Sequence, residues 1–411
     1  MSSDMFLDVP QVAGMTQIGD YEEIREILGS QKFVQGAYSQ MGDEFLRGCL
    51  TMLDGPQHFA RRRIIGKLFH EEALAAYREA HLFPVIERTL AEIAPLAEDG
   101  VVRTNLVPLV WRMLYRLAGA IAGIDGIDDQ ASAERFVTLV RGFGEAVVAD
   151  WSRADVEEVR RLGRAARDEF EKEFFAPSLA RRAEQVAAFR REEISADQLP
   201  KDLLTMLELH RDPSWDEGQM LRETTIFLIA ATQTTAQSFP HFIVNLETWF
   251  EDHPEEREDA IADEAYLRQA AMESLRFFVA APARIRRATA EVTLKSGRVI
   301  AEGEVVALFF TPANMQSDHF GEDAAEFNPH REVEGVPNWG LAFGGGAHAC
   351  VGRPLVMGGG NRTRTDGTIV SIARRLYAAG MKIDRTQQVE NDQRTLYDQL
   401  ETVPVVFDRL G

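Results

Sequence analysis

The sequence has 411 residues, 45% of them hydrophobic, and is long enough to bury a large core. Its formal net charge of −20 argues against nucleic acid as a partner, because neutralising phosphates requires a basic face. The two distant cysteines argue against a disulfide framework and against a multi-cysteine zinc site. The sequence shows no leader-like start and no apolar run of about 18 residues, which predicts a soluble, cytoplasmic protein without a membrane span.

The first elements predicted along the chain are a short strand and a helix within residues 15–28, followed by an irregular segment over 33–53. Turn residues beginning at Asp54 start the next helix. On that helix His58 and Arg62 are four residues apart, so both side chains lie on one face.

The middle of the chain predicts helices of different character. Apolar residues every three to four positions indicate that residues 71–150 are helical almost throughout, and the charged stretch 152–185 indicates a long, largely exposed helix. A helix over about 217–246 is apolar on nearly every side and must therefore be buried. The polar run Thr232-Gln233-Thr234-Thr235 within it needs partners.

The following region predicts one more helix and then strands. Glu273 and Arg276 lie three residues apart on that helix. Strands expected to form one small antiparallel sheet lie at 292–294, 299–300 and 305–310. The tail over 396–407 predicts a terminal pair of strands.

A glycine-rich loop, Phe343-Gly344-Gly345-Gly346-Ala347-His348-Ala349-Cys350-Val351-Gly352, is the strongest chemical signal. Glycines allow tight turns and close approach of the backbone to a flat group. A single thiolate is a ligand that haem iron accepts, and it favours O–O cleavage. The alternative is a flexible loop beside a buried structural cysteine.

This loop resembles the ligand loop of the cytochrome P450 family, which reads Phe-Gly-x-Gly-x-His/Arg-x-Cys-x-Gly. The resemblance implies a mainly α fold with small β-sheets, formed by a single domain over residues 1–411. It also implies haem b, with the Cys350 thiolate as axial metal ligand and with Phe343, Gly344 and Gly352 against the ring.

The resemblance also implies which residues hold the two haem propionates. They are His348 in the ligand loop, His58 with Arg62 on the early helix, and Arg286, expected just before the first strand of the small sheet. Arginine suits this role because its planar fork bonds carboxylates in pairs. Ala230, on the long buried helix, is expected to contact the cofactor.

The long buried helix resembles the oxygen-binding helix of the same family, which reads Ala/Gly-Gly-x-Asp/Glu-Thr-Thr/Ser. By that match Gln233, Thr234 and Thr235 are the candidate catalytic residues. Gln233 departs from the family, since an amide cannot titrate where an acid normally passes protons. A peroxide-driven or non-oxygenating reaction therefore remains an alternative.

Further residues are assigned by the same match. Glu273, Arg276 and Arg331 resemble the structural Glu-x-x-Arg set with its second arginine. The residues expected to line a mostly apolar substrate pocket are Ile226, Ile229, Ala230, Ala280, Ala281, Ala283 and Arg284, with Phe45 or Leu46 as further candidates. Arg284 is expected to bind a propionate or a substrate carboxylate.

The basic residues are unevenly distributed. A helical cluster at Arg61, Arg62, Arg63 and Lys67, together with Arg353, Arg362 and Arg364 after Cys350, predicts a basic proximal face that receives an acidic ferredoxin or a flavin-type electron donor. Gly358–Gly360 predicts a break in the helix after the loop, with an insertion on the same side.

The leading interpretation is a haem-thiolate monooxygenase that inserts one oxygen atom from O2 into a small, mainly apolar organic substrate. A peroxide-driven or non-oxygenating enzyme of the same fold is one alternative. From other classes, a non-catalytic haem sensor or carrier and a helical interaction protein without haem remain open.

Overall fold

The computed structural model describes residue 12 and residues 14–36, 42–216, 218–358 and 366–410. As the sequence predicts, the protein is mainly helical with small sheets. The described helices are α1 (Tyr21–Gly29), α2 (Gly42–Leu46), α3 (Gly55–Ile65), α4 (Glu71–Tyr77), α5 (Phe83–Ile93), α6 (Leu106–Ala122), α7 (Gln130–Val147), α8 (Val156–Phe170), α9 (Ala176–Arg190), α10 (Leu203–Leu209), α11 (Gln219–Asp252), α12 (Arg257–Ala262), α13 (Glu264–Phe277), α14 (Phe310–Ala313), α15 (Ser317–Phe320), α16 (Arg353–Met357) and α17 (Thr368–Ala378).

The described strands are β1 (Thr16–Ile18), β2 (Phe33–Gln35), β3 (Val102–Asn105), β4 (Ala283–Ala288), β5 (Val292–Thr293), β6 (Val299–Ile300), β7 (Val305–Phe309), β8 (Met381–Ile383), β9 (Glu390–Asn391), β10 (Leu400–Thr402) and β11 (Pro404–Phe407). One sheet has the order β1-β7-β4-β2, and β1 is parallel to β7 while the other pairs are antiparallel. A second has the order β3-β11-β8, and β5–β6 and β9–β10 are two-stranded.

Helix α11 forms the centre of the main hydrophobic core, as its apolar sequence predicts. It runs for 34 residues and packs closely against α6, α7 and α13. Pro240 lies inside it and removes one backbone N–H, yet the helix continues to Asp252, well beyond the predicted end near residue 246. Glu217, the predicted start, lies outside the described residues.

Several sequence-based strand predictions are wrong. Residues 305–309 do not join 292–300, because β7 is buried on both faces and pairs with β4 and β1 instead. The tail does not form a strand pair, since only Val403 separates β10 from β11, and the two strands join different sheets. Arg286 lies within β4, a strand that its three arginines concealed.

Most predicted helices are present, but some of the predicted segments contain other elements or more than one helix. The segment 33–53 is not irregular throughout, since it contains β2 and α2, and β3 interrupts the helices of residues 71–150. The charged stretch forms α8 and α9, joined by a π-helical turn whose phenylalanines are buried. No helix in the described ranges is both long enough and apolar enough to cross a bilayer.

Candidate functional site

A cavity of about 280 Å³ lies between α11 and the loop that ends at Cys350. Every residue predicted to bind the cofactor lines it, although these residues come from separate parts of the chain. They are His58, Arg62, Ala230, Arg286, Phe343, Gly344, His348, Cys350 and Gly352. The structure therefore brings together the predicted set, with α11 on one side of the cavity and the cysteine loop on the other.

The loop conformation depends on glycine at two positions. Gly344 and Gly346 have φ of 65° and 62°, in the left-handed region. A Cβ on Gly346 would lie 1.9 Å from the carbonyl oxygen of Leu28 in α1, so the loop lies directly against that helix. The N–H of Cys350 donates to the carbonyl of Phe343 at 2.8 Å and closes the loop beneath the cavity.

The Cys350 side chain is exposed to the cavity. The surrounding protein raises the pKa of its thiol by desolvation, while the backbone N–H groups of Gly352 and Arg353 and the charges of Arg284 and Arg62 oppose this rise. These donors and cations reduce the rise of the pKa without reversing it. Cys350 therefore offers a soft sulfur ligand that faces open space, and a bound metal ion would favour its thiolate form.

Two histidines and an arginine stand together on the cavity wall. The rings of His58 and His348 are 4.1 Å apart between centroids, and Arg62 donates from Nη2 to the carbonyl oxygen of Ala349 at 2.6 Å. Burial, together with the charges of His348 and Arg62, lowers the pKa of His58 to about 4. His58 Nδ1 is buried and has no hydrogen-bond partner among the described residues.

Gln35 links these groups to Arg286, and sequence reasoning missed it. Its Nε2 donates to His348 Nδ1 at 2.8 Å, and its Oε1 accepts from Arg286 Nη1 at 2.6 Å. His348 Nε2 then donates to Asp54 Oδ1 at 3.1 Å. Gln35 pairs with Arg286 across β2 and β4, so the unpredicted strand β4 creates this contact.

The α11 wall of the cavity consists of Phe227, Ala230, Ala231, Thr234, Thr235 and Ser238. This spacing of three and four residues is one helical face. The hydroxyl of Thr234 donates to the carbonyl of Ala230 at 2.9 Å, and that of Ser238 donates to the carbonyl of Thr234 at 2.9 Å. Predicted residues Thr234 and Thr235 thus face the cavity.

Gln233 is not part of the described cavity lining, unlike its threonine neighbours. It is buried on the adjoining face of α11, where a Cβ on Gly144 of α7 would lie 1.8 Å from its Nε2. One residue along a helix turns the side chain by about 100°. The structure therefore places the Gln233 amide in the contact between α7 and α11.

Four predicted substrate-pocket residues line the cavity, namely Ala230, Ala280, Ala281 and Arg284. The others do not: Ile226 and Ile229 pack into the main core, Ala283 packs against Val12 and Phe309, and Phe45 and Leu46 are buried. The cavity residues that the sequence did not suggest include Leu50, Thr51, Phe69, Phe227 and Ala342. Phe227 lies seven residues before Thr234, so helical spacing could have indicated it.

Glu273, Arg276 and Arg331 form a buried network, as predicted. Arg276 donates to both Glu273 oxygens at 2.9 and 2.8 Å, and Arg331 Nε donates to Glu273 Oε1 at 2.9 Å. Arg276 also holds the carbonyl of Asn314 at 2.7 Å, and Asn314 Oδ1 accepts from the N–H of Leu341 at 2.8 Å. The network therefore supports the start of the cysteine loop.

The predicted basic face needs a correction. Arg61 is buried and paired with Glu223, so it adds no charge to the surface. Arg63, Lys67 and Arg353 are exposed, whereas Arg362 and Arg364 lie outside the described residues. Because Arg62 of α3 binds the carbonyl beside Cys350, this helix does lie on the cysteine side of the cavity.

The groups around the cavity fit a haem. Cys350 offers one soft ligand, while Arg62, Arg284 and Arg286 offer guanidinium groups for carboxylates. The unpartnered Nδ1 of the buried His58 needs an acceptor or a donor that the described residues do not supply. A flat metal cofactor with two propionates would satisfy both requirements.

Comparisons with known proteins agree with this geometry. The Cytochrome P450 family model matches residues 10–357. Mycinamicin IV hydroxylase/epoxidase of Micromonospora griseorubida is 26% identical over 400 residues, covering 94% of this chain and 88% of that protein. For cyclooctat-9-en-7-ol 5-monooxygenase of Streptomyces melanosporofaciens the values are 26% over 383 residues, 82% and 75%. The crystal structure of CalO2 matches with a TM-score of 0.71 at 19% identity, covering 98% and 93% of the two chains. The chain belongs to the cytochrome P450 family and is an oxidoreductase of the monooxygenase type.

Proposed function

We propose that this protein is a haem-thiolate monooxygenase that inserts one oxygen atom from O2 into a small, mainly apolar organic substrate, with electrons from separate redox proteins. The observation that carries the proposal is the single cavity in which the Cys350 loop faces the Thr234 face of α11. Relatives named as a hydroxylase/epoxidase and a monooxygenase support the reaction type.

Different cavity residues would bind different parts of haem b. Cys350 would supply the thiolate ligand to the iron, and His58, His348, Arg62 and Arg286 would hold the two propionates. When bound through a thiolate, haem supplies the electron-rich iron that favours O–O cleavage. The backbone N–H groups next to Cys350 stabilise the thiolate and tune its donor strength.

The hydroxyls on α11 hold the protons that the reaction consumes. Thr234 is the best placed, because its Oγ1 lies on the cavity face and can accept a further hydrogen bond while donating to Ala230. Thr235 and Ser238 extend this polar row. Gln233 takes no direct part in proton delivery, since its amide neither titrates nor faces the cavity.

A peroxide-driven reaction is the second candidate. It is favoured by one observation, namely that no Asp or Glu stands among the described residues lining the cavity. Peroxide brings its own protons and electrons and therefore needs less delivery from the protein. Product formed with hydrogen peroxide alone, compared with O2 plus a ferredoxin and its reductase, separates the two candidates.

The electron donor is proposed to be an acidic ferredoxin or a flavin protein that docks at Arg63, Lys67 and Arg353. These exposed cations lie on the cysteine side of the cavity in a protein whose net charge is −20. Reduction by an acidic ferredoxin should slow as salt is added, and Arg63→Glu with Lys67→Glu should remove most of that salt dependence. A rate that does not depend on ionic strength contradicts the assignment.

The ligand assignment is tested by the spectrum of the reduced protein with carbon monoxide. Wild type should give the red-shifted Soret band of a thiolate-ligated haem, and Cys350→Ser should lose it. Cys49→Ser is the matched control, because Cys49 is buried in the core away from the cavity lining and should leave the band in place. A band retained in Cys350→Ser disproves the ligand.

A further inference from the structure

Arg284, half-buried on the cavity wall, uses only part of its hydrogen-bonding capacity. Its Nη1 donates to the carbonyl oxygens of Ala281 and Ala283, each at 3.0 Å. Its Nε and Nη2 have no hydrogen-bond partner in the described part of the chain, and no carboxylate there lies within ion-pair distance of it. One edge of the guanidinium is therefore open toward the cavity that the residue lines.

Arg284 is separate from the cluster proposed to hold the propionates. It lies two residues before Arg286 on β4, so both side chains point to the same face of the strand, about 7 Å apart along it. Arg286 reaches Gln35, which in turn contacts His348. Arg284 instead bonds the carbonyl oxygen of Ala281, and its charge acts on Cys350.

The cavity is lined by one more arginine than two haem propionates would neutralise. Arg62, Arg284 and Arg286 contribute three guanidinium groups, and no Asp or Glu lines the cavity among the described residues. The Cys350 thiolate would neutralise the single net positive charge of a ferric haem core, and the two propionates would balance two of the three arginines.

Apolar side chains are among the neighbours of Arg284. The centroid of the Phe310 ring lies 5.8 Å from the Arg284 Cζ, and Leu275, Ala280 and Phe227 line the same cavity. A cation in such a setting is costly unless an anion or a strong acceptor joins it. The Nε–Nη2 edge has the fork geometry that binds a carboxylate through two parallel bonds.

We propose that the substrate carries a carboxylate on an apolar body, and that Arg284 binds this carboxylate and so determines specificity. The inference rests on the proposed haem-thiolate function and narrows its substrate class. The apolar body then lies along Phe227 and the alanines of α11, within reach of the reacting centre above Cys350. A neutral analogue of the same shape would leave the guanidinium without its partner.

The test measures binding to the haem-loaded protein through the spin-state shift in its absorption spectrum. The probes are decanoate, 4-phenylbutanoate and 4-cyclohexylbutanoate, each compared with its carboxamide. Wild type should bind at least one carboxylate about 10- to 100-fold more tightly than the amide, and Arg284→Gln should abolish this difference. Arg284→Lys should retain part of it. Arg287→Gln removes the same charge from an exposed position on β4 and should change nothing.

Haem content and the carbon monoxide spectrum, recorded on the same samples, distinguish a failure of the Arg284 assignment from a failure of the proposed haem-thiolate function. A normal thiolate band with no preference for any carboxylate in wild type overturns the assignment of Arg284 and leaves the proposed function intact. Loss of haem from Arg284→Gln, with an unchanged preference in the protein that retains haem, shows a propionate anchor instead and equally overturns it. Absence of the thiolate band in wild type overturns the function itself.

Discussion

Glu273→Gln is expected to be the most destabilising isosteric change in this protein. The substitution keeps the size of the side chain but removes the charge that both Arg276 and Arg331 contact. Arg276 is fully buried and Arg331 is 5% exposed, so neither guanidinium can recover its lost partner from water. Breaking such a buried network by removing one member costs about 3–5 kcal/mol.

That cost translates into a measurable thermal shift. Unfolding entropy near 60 °C is roughly 2.1 cal/mol/K per residue, so for a chain of 411 residues the loss corresponds to a fall in Tm of about 3–6 °C. Differential scanning calorimetry of the purified protein checks the value. The matched control is Glu158→Gln, which removes one partner of an i,i+3 pair with Arg161 that is exposed on α8.

The expected order is a large shift for Glu273→Gln and a shift close to zero for Glu158→Gln, since water and salt screen an exposed pair. The cysteine loop should respond as well, because Arg276 is linked through Asn314 to the N–H of Leu341. Haem content should therefore fall in Glu273→Gln. Equal Tm values for the two variants would refute the argument that this network carries stability.

Three further predictions concern the site. Because the pKa of His58 is lowered to about 4, the folded protein favours the neutral ring; the Tm of the haem-free protein should fall as pH decreases from 6.5 to 4, and less steeply in His58→Asn. An identical slope in the variant contradicts this. Gly346→Ala, with φ at 62° and a Cβ against the Leu28 carbonyl, should lower haem content and Tm, whereas Gly345→Ala, in extended backbone, should be tolerated. Equal losses would rule out the steric reason. Gln233→Glu should not raise the yield of product per electron consumed, because the side chain faces away from the cavity; a higher yield disproves this orientation.

The sequence was most informative where a motif is local. The Phe343–Gly352 run specifies its own turns through glycine, and the i,i+3 and i,i+4 pairs on α3 and α13 share a face in any helix. Their convergence on one cavity was predicted only through resemblance, since nothing in a single sequence states which distant segments meet. Gln35 shows the limit: it belongs to the site solely because β2 pairs with β4.

The sequence-based predictions were wrong where helical periodicity could not distinguish neighbouring residues and where polar residues obscured a strand. A shift of one position on α11 separates Ile226, which packs into the core, from Phe227, which lines the cavity. When a helix is apolar on all sides, its sequence does not show which face will contact solvent or a ligand. Arginines at 284, 286 and 287 hid β4, because its apolar–polar alternation breaks at Arg287 and Ile285 is its only β-branched residue.

The amide at position 233 is best understood from helix packing. Gly144 lets α7 approach α11 closely, and the Gln233 amide occupies the space that a side chain at 144 would need. A carboxylate at 233 would be buried in the same contact, near the hydroxyl of Tyr115, whose pKa burial already raises. An amide avoids that desolvation cost and keeps the two helices together. In the proposed reaction, protons would reach the cavity through the hydroxyls of Thr234, Thr235 and Ser238 with water, and we therefore expect Thr234→Ala to lower product yield more than any change at 233.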